Sequence, residues 1–211
     1  MRISLIGMSN IGKTYWSKQL EKHGYLRFSC DDYIEEKLKK ELAILGYRGF
    51  EEISKWLGQP YDKQYPEASK KYLKLERQSL LEIFQRLDKL NGENIVIDTT
   101  GSVINHDEEI LRQLGKYTLV VYLDTPSPVK REMYKSYLNN PKPVIWGEHF
   151  NFIKGESPMK ALSRCYPRLL DYRTKQYQKF ADIHLNYFLL RSRNFTVENF
   201  LTLLNQLEDK A

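Results

Sequence analysis

Nothing in this sequence approaches the roughly 20 consecutive apolar residues that a membrane-spanning helix needs. Its first residues run straight into an apolar segment without the basic-then-apolar pattern of a leader, so a cytoplasmic protein is the expectation. Cysteine is scarce too: the 2 present, Cys30 and Cys165, lie far apart without C-x-x-C spacing, which leaves a disulfide framework or a zinc site nothing to build on. Both are expected to be reduced thiols in or near the core. Internal repeats and low-complexity tracts are also missing.

Charge of neither sign gathers into a run. The formal net charge of +6 is spread over Lys and Arg residues interleaved with Glu and Asp, a pattern of solvated helix faces plus a site for anionic phosphates rather than of a nucleic-acid stripe. With 41% hydrophobic and 28% charged residues the chain is expected to fold, and 211 residues suit a single domain spanning 1–211.

What is present is an alternation of short apolar runs and amphipathic stretches. "RISLIG", "GYLRFS", "NIVIDTTG", "YTLVVYLD" and the fainter "ADIHLNYF" read as five strands. Helical patterns cover about Lys13 to Lys22, the segment "DDYIEEKLKKELAIL" capped by its aspartates, Glu67 to Lys89, Asp107 to Leu114, Ser127 to Leu138, Lys160 to Phe180 and Val197 to Leu207. This order predicts an α/β fold with a five-stranded parallel sheet between two helical layers and ligands outside the carboxyl ends of the strands. The Gly- and Pro-broken segment from about 44, with the long helix ending near 90, predicts a helical excursion over the site. The stretch from about 139 to 160, with exposed-looking aromatics and no helical period, predicts a lid.

The motif that carries chemistry is "GMSNIGKT", Gly7 to Thr14, spelling G-x-x-x-x-G-K-T between a strand and a helix. In that context the backbone N–H groups curl around phosphate oxygens, the Lys reaches the β and γ oxygens, and the hydroxyl serves Mg²⁺. Gly7, Asn10, Ile11, Gly12, Lys13, Thr14 and Tyr15 are therefore the expected nucleotide-binding residues, with Thr14 on the metal. Asp98 closes a strand beside the cradle and is the second candidate metal ligand, or else a cap for the following "TTGS" turn. Asp124 reads as a turn residue.

Transfer to a hydroxyl needs an acid near the acceptor and basic groups near a mobile segment. Asp31, after the second strand, is placed to take a proton or hydrogen bond from a substrate hydroxyl, or to cap a helix, for which Asp32 is the better candidate. Arg164 and Arg168 share a helix face after the lid and suit a phosphate clamp, or simply a solvated helix; Arg173 sits about half a turn away from them.

With those residues in place, the chain resembles the shikimate kinase branch of the small P-loop kinases, relatives of nucleoside and nucleotide monophosphate kinases. The resemblance covers about 170 residues through "LIGMSNIGKTYWSKQL", "FSCDDYIE", "VVYLDTPSPV" and "LLDYRTKQYQKFADIHL", the last aligning Arg173, Tyr177, Ala181 and Asp182 with the family's C-terminal signature. It implies a P-loop NTPase fold with ATP and Mg²⁺ as cofactors, Asp31 against the acceptor hydroxyl, and Arg173 and Gly101 on the acceptor; with the residues read above, Lys13, Asp31, Arg164 and Arg168 are the expected catalytic set. Three positions depart from the family pattern: Ser29 replaces the metal-side aspartate, Thr100-Gly101-Ser102 replaces a triple-glycine turn, and Leu73 replaces the second acceptor-binding arginine unless Arg48 or Arg77 compensates. Losing one arginine fork removes a contact of about 1.5–3 kcal/mol, a ten- to hundredfold change in affinity.

The expectation is a monomeric, Mg²⁺-dependent enzyme that moves the γ-phosphoryl of ATP to a small-molecule hydroxyl, with shikimate the first candidate acceptor and a carboxylate for Arg173 to read. It engages neither nucleic acid polymer nor membrane. The alternatives are a nucleoside or nucleotide kinase, whose base would stack on Trp146, Phe150 or Phe152, and a nucleotide-binding regulatory protein with little turnover.

Overall fold

The computed structural model describes residues 1–44, 46 and 50–208. Five strands, β1 (Arg2–Ile6), β2 (Leu26–Ser29), β3 (Ile95–Asp98), β4 (Leu119–Leu123) and β5 (Ile183–Leu185), form one all-parallel sheet in the order β2-β3-β1-β4-β5. Strands buried on both faces have no use for polar alternation, and β3 accordingly reads Ile-Val-Ile before ending in Asp98. Eight helices accompany the sheet among the described residues: α1 (Lys13–Lys22), α2 (Cys30–Ile44), α3 (Phe50–Leu57), α4 (Tyr65–Leu87), α5 (Glu108–Tyr117), α6 (Ser127–Asn139), α7 (Pro158–Phe180) and α8 (Val197–Glu208). α1 packs over β1 to β3 and touches α8, while α5 and α7 touch each other and both pack on β4. The expected three-layer α/β/α architecture is what the chain adopts. None of the described helices is long and apolar enough to cross a membrane.

The chain leaves β1 toward β2 and β3 on one side and later returns to place β4 on the other. The crevice beside β1 is therefore the topological switch point where α/β sheets bind ligands, and the loop of residues 7 to 12 opens there.

Local chemistry sets the helix ends. Asp107 caps α5 by accepting from the Ile110 amide at 3.0 Å, and Ser157 caps α7 with Pro158 at its first position. The capping expected of Asp31 and Asp32 is corrected: α2 begins at Cys30, and it is the Ser29 hydroxyl that accepts from the Asp32 amide at 3.2 Å. Both aspartates lie in the first helical turn, where a carboxylate meets the positive end of the helix dipole.

Beside the sheet core lies a second buried cluster, in which Leu38, Trp56, Tyr65, Trp146, Leu162 and Leu169 bring together α2, α3, α4, α7 and the loop after α6. Part of the Gly- and Pro-broken segment thus forms a helix of its own, α3, whose Ile53, Trp56 and Leu57 are buried. The loop between α6 and α7 is also less free than its composition suggests. Trp146 is 0% exposed, the Trp146 amide donates to the Tyr65 hydroxyl at 2.8 Å, and that hydroxyl donates to the Val144 carbonyl at 2.9 Å. Burying one indole is worth roughly 4–6 kcal/mol of transfer free energy at about 25 cal/mol per Å². Of the three aromatics expected to look outward, only Phe152, 48% exposed, does so fully.

Candidate active site

The cradle has the backbone of an anion nest. Gly7, Asn10 and Gly12 adopt φ values of 145°, 62° and 113°, the positive-φ turns that let such a loop curl ahead of the start of α1. Asparagine is the side chain that best tolerates the left-handed region without being glycine. A Cβ at Gly7 would stand 3.0 Å from the Leu123 carbonyl, so both φ and space require glycine there. The Lys13 ammonium is buried and donates to the carbonyls of Gly7 and Met8, each at 2.9 Å. Burial draws its pKa below the ordinary lysine range, opposed mainly by the charges of Asp98 and Asp31. Thr14 and Tyr15 are exposed on the first turn of α1.

The charges that act on Lys13 define the rest of the site: Asp98, Asp31, Arg173 and Glu76. Asp98 is buried at the end of β3, where its Oδ2 accepts from the Ser17 hydroxyl at 3.0 Å and from the Arg27 guanidinium at 3.2 Å. Its Oδ1 is buried without a partner. The role of turn cap is excluded, because the Ser102 amide is satisfied instead by the Thr100 hydroxyl at 3.0 Å. Asp124, by contrast, is the turn residue expected, accepting from the Thr125 amide at 2.7 Å.

Asp31 is half-buried, with the Tyr72 hydroxyl 3.4 Å from its Oδ1. Burial pushes its carboxyl up to about 6, with Lys13 pulling the other way. A carboxylate poised near neutrality can accept a proton from a hydroxyl and give it up again. Burial also holds the Tyr72 phenol well above its usual range, so it stays a donor.

The signature at the end of α7 does three separate jobs. The Arg173 guanidinium donates through Nη2 to the Ile145 carbonyl at 2.7 Å, the Tyr177 hydroxyl donates to the Gly101 carbonyl at 2.6 Å, and the Asp182 carboxylate accepts from the Val120 amide at 2.7 Å. Arg173 is only 5% exposed and its Nε has no partner, which leaves unspent donors near Gly101, where a Cβ would stand 3.7 Å from Nη1.

Two expected clamp residues stand elsewhere. Arg164 is bound to the Glu156 carboxylate at 2.7 Å and to the Asn151 carbonyl at 2.8 Å. Arg168 lies exposed near His149. Neither hydrogen-bonds to the cradle. Leu73 packs against the second cluster, Arg77 pairs with Asp107 at 3.5 Å on the surface, and Arg48 lies outside the described residues.

Sequence reasoning passed over Glu76, Arg27, Tyr72 and Ser17. Glu76 is 0% exposed in the middle of α4; its Oε1 accepts from the Ser102 hydroxyl at 2.8 Å, and its Oε2 stands 2.8 Å from His106 Nε2. That contact has the reach of an ion pair without the alignment of a hydrogen bond. A glutamate among the leucines of a long helix was the available signal. Arg27 gave none, since alternation along a short strand hides which neighbour it meets.

No protein-family model and no curated protein sequence matches the chain. By structure it is similar to shikimate kinase from Aquifex aeolicus, with a TM-score of 0.57 at 20% identity over 97% of this chain and 96% of that one. It is also similar to shikimate kinase from Acinetobacter baumannii in complex with shikimate, with a TM-score of 0.58 at 19% identity over 99% and 93%. The shikimate kinase from Bacteroides thetaiotaomicron gives a TM-score of 0.55 at 21% identity over 99% and 98%. The chain has the P-loop kinase fold of these proteins.

Proposed function

From that shared fold, we propose that this protein is a kinase that transfers the γ-phosphoryl group of ATP to a hydroxyl of a small molecule, in the manner of shikimate kinase. The observation that carries the reading is the convergence of Lys13, Asp98, Asp31 and Arg173 at the carboxyl end of the sheet, beside an anion nest. The nest and Lys13 would hold the phosphates, and Lys13 would neutralise charge developing on the transferred group. Asp31 would accept the proton of the attacking hydroxyl, and the free donors of Arg173 would hold an anionic group on the acceptor.

The residues suit Mg²⁺. Magnesium keeps most of its waters and takes one or two protein oxygens together with phosphates. The exposed Thr14 hydroxyl and the orphaned Asp98 Oδ1 supply such a pair, and no cluster of three or more metal-ligating side chains occurs among the described residues. Held by Thr14 and Asp98, the ion would supply positive charge to offset that of the phosphates.

Shikimate is the first acceptor to test, since Arg173 and Gly101 are in place while the second arginine is replaced by Leu73. A nucleoside acceptor gains no support from Trp146, whose ring is enclosed by Tyr137, Phe150 and Tyr166. The deciding assay measures ADP release from ATP and Mg²⁺ with hydroxylated acids, sugars and nucleosides. Acceptor-stimulated release with an acid supports the proposal; release with none of them, despite ATP binding, favours a nucleotide-binding regulatory protein.

A further inference from the structure

The end of β3 carries its acid alone. Asp98 pairs in register with Ser29 on β2, and the Ser29 hydroxyl is committed to the first turn of α2. A buried carboxylate in that position needs a partner and something to fix its orientation. Both come from Arg27, two residues earlier on β2. Its Nη2 donates to Asp98 Oδ2 at 3.2 Å, its Nε to the Ser17 hydroxyl at 3.0 Å, and its Nη1 to Asp32 at 3.3 Å. Ser17 also donates to Asp98 Oδ2 or to the Thr14 carbonyl, at 3.0 and 3.2 Å, so one hydroxyl links the start of α1 to the acid.

The consequence for Asp98 is geometric. With Oδ2 held by Arg27 and Ser17, the carboxylate cannot turn about its own axis without losing charge-assisted contacts. Oδ1, buried and without a partner, is the oxygen left for a cation or its water. Arg27 is itself nearly enclosed, with a side chain 11% exposed, so its fork is fixed at both of its inner contacts.

We infer that Arg27 is a positioning residue for the metal-side carboxylate: through Asp98 and Ser17 it presents Oδ1 to the Mg²⁺ of a bound nucleotide. This rests on the kinase reading for the presence of nucleotide and metal, and on the contacts above for the role of Arg27. A lysine there keeps the charge but cannot reach Ser17 and Asp98 together.

The test reads metal binding and requires no acceptor. Mn²⁺ replaces Mg²⁺, and its affinity for the ADP-bound protein is taken from the free Mn²⁺ signal in electron paramagnetic resonance. Arg27→Lys is expected to weaken Mn²⁺ in the ADP complex about tenfold with ADP affinity without metal within about twofold, and the Arg27→Lys/Asp98→Asn pair to be no weaker than Asp98→Asn alone. Ser17→Ala, which leaves Arg27 in place, is expected to weaken Mn²⁺ about threefold and serves as the reading should Arg27→Lys lose its melting transition. Unchanged Mn²⁺ affinity in the folded variants, or effects that add in the double variant, overturns the inference and leaves the kinase reading standing. Failure of the wild-type protein to bind ADP overturns both.

Discussion

The Arg173 guanidinium holds the Ile145 carbonyl at 2.7 Å, so the side chain proposed to read the acceptor also fastens the loop between α6 and α7. On that proposal one guanidinium would serve a ligand and a loop at once.

Arg173→Ala should weaken acceptor binding by about 2 kcal/mol, the scale of a lost charge-assisted contact, or roughly thirtyfold in the acceptor KM. It should also speed amide exchange at Trp146, the residue after Ile145, whose N–H is bonded to the Tyr65 hydroxyl at the start of α4. Steady-state kinetics with both substrates varied will show which one Arg173 reads, and a KM change confined to ATP would remove the anionic-acceptor assignment.

Lys13→Met should lower transfer by about 10²–10³-fold, the usual cost of removing one preorganised charge partner from a transition state. The circular dichroism spectrum should stay that of the parent. Wild-type turnover in this variant would mean that the nest is not the active site.

The burial of Asp31 couples stability to pH. Its carboxyl is raised from 3.8 to about 6 by burial, so between those values the unfolded chain has released a proton that the folded protein still holds, and stability falls as pH rises. Asp31→Asn removes that cost and should stabilise the ligand-free protein by on the order of 1–3 kcal/mol above pH 6, the figure being reduced for partial exposure. The gain should vanish below pH 3.8, where both states hold the proton. Transfer should behave oppositely, declining in the wild type as pH drops through about 6 and severely impaired in Asp31→Asn at every pH. Melting temperatures and kcat across pH 3.5–8 test both halves; a variant no more stable at neutral pH would contradict the burial of that charge.

Gly101→Ala should disturb the nest from outside. The new methyl would stand 2.8 Å from the Ser9 hydroxyl and 3.2 Å from the Ser9 amide, while Tyr177 holds the Gly101 carbonyl in place. A loss of about 1–3 kcal/mol in stability is expected, with Ser9→Gly restoring part of it in the double variant. Melting curves of the four proteins close the cycle, and independent effects would show that the two turns do not press on each other.

The inner strands β1, β3 and β4 were legible because each is a short, largely apolar run that ends at a glycine or an acid, and parallel strands buried on both faces leave no other pattern. The cradle was legible because its glycines answer to backbone conformation, which sequence records directly. Arg164 shows the limit: its helix and its place after the loop could be read, but its attachment to Glu156 depends on how the loop folds back. Trp146 failed for a related reason, because a tryptophan beside glycine and proline looks exposed until a second helical cluster encloses it. Arg27 and Glu76 needed long-range partners, Asp98 and Ser102, that no local spacing announces.

The two carbonyls that hold Lys13 would make the proposed nucleotide association an exchange of partners. Phosphate oxygens would not meet a bare ammonium; they would displace Gly7 and Met8 from it, and those carbonyls would then have to find water or other donors. A small anion offering a single contact competes poorly against such an internal pair, whereas a polyphosphate chain that also engages the surrounding amides can offset the loss. On the proposed function, the lysine's resting position would therefore act as a filter on which anions the nest accepts.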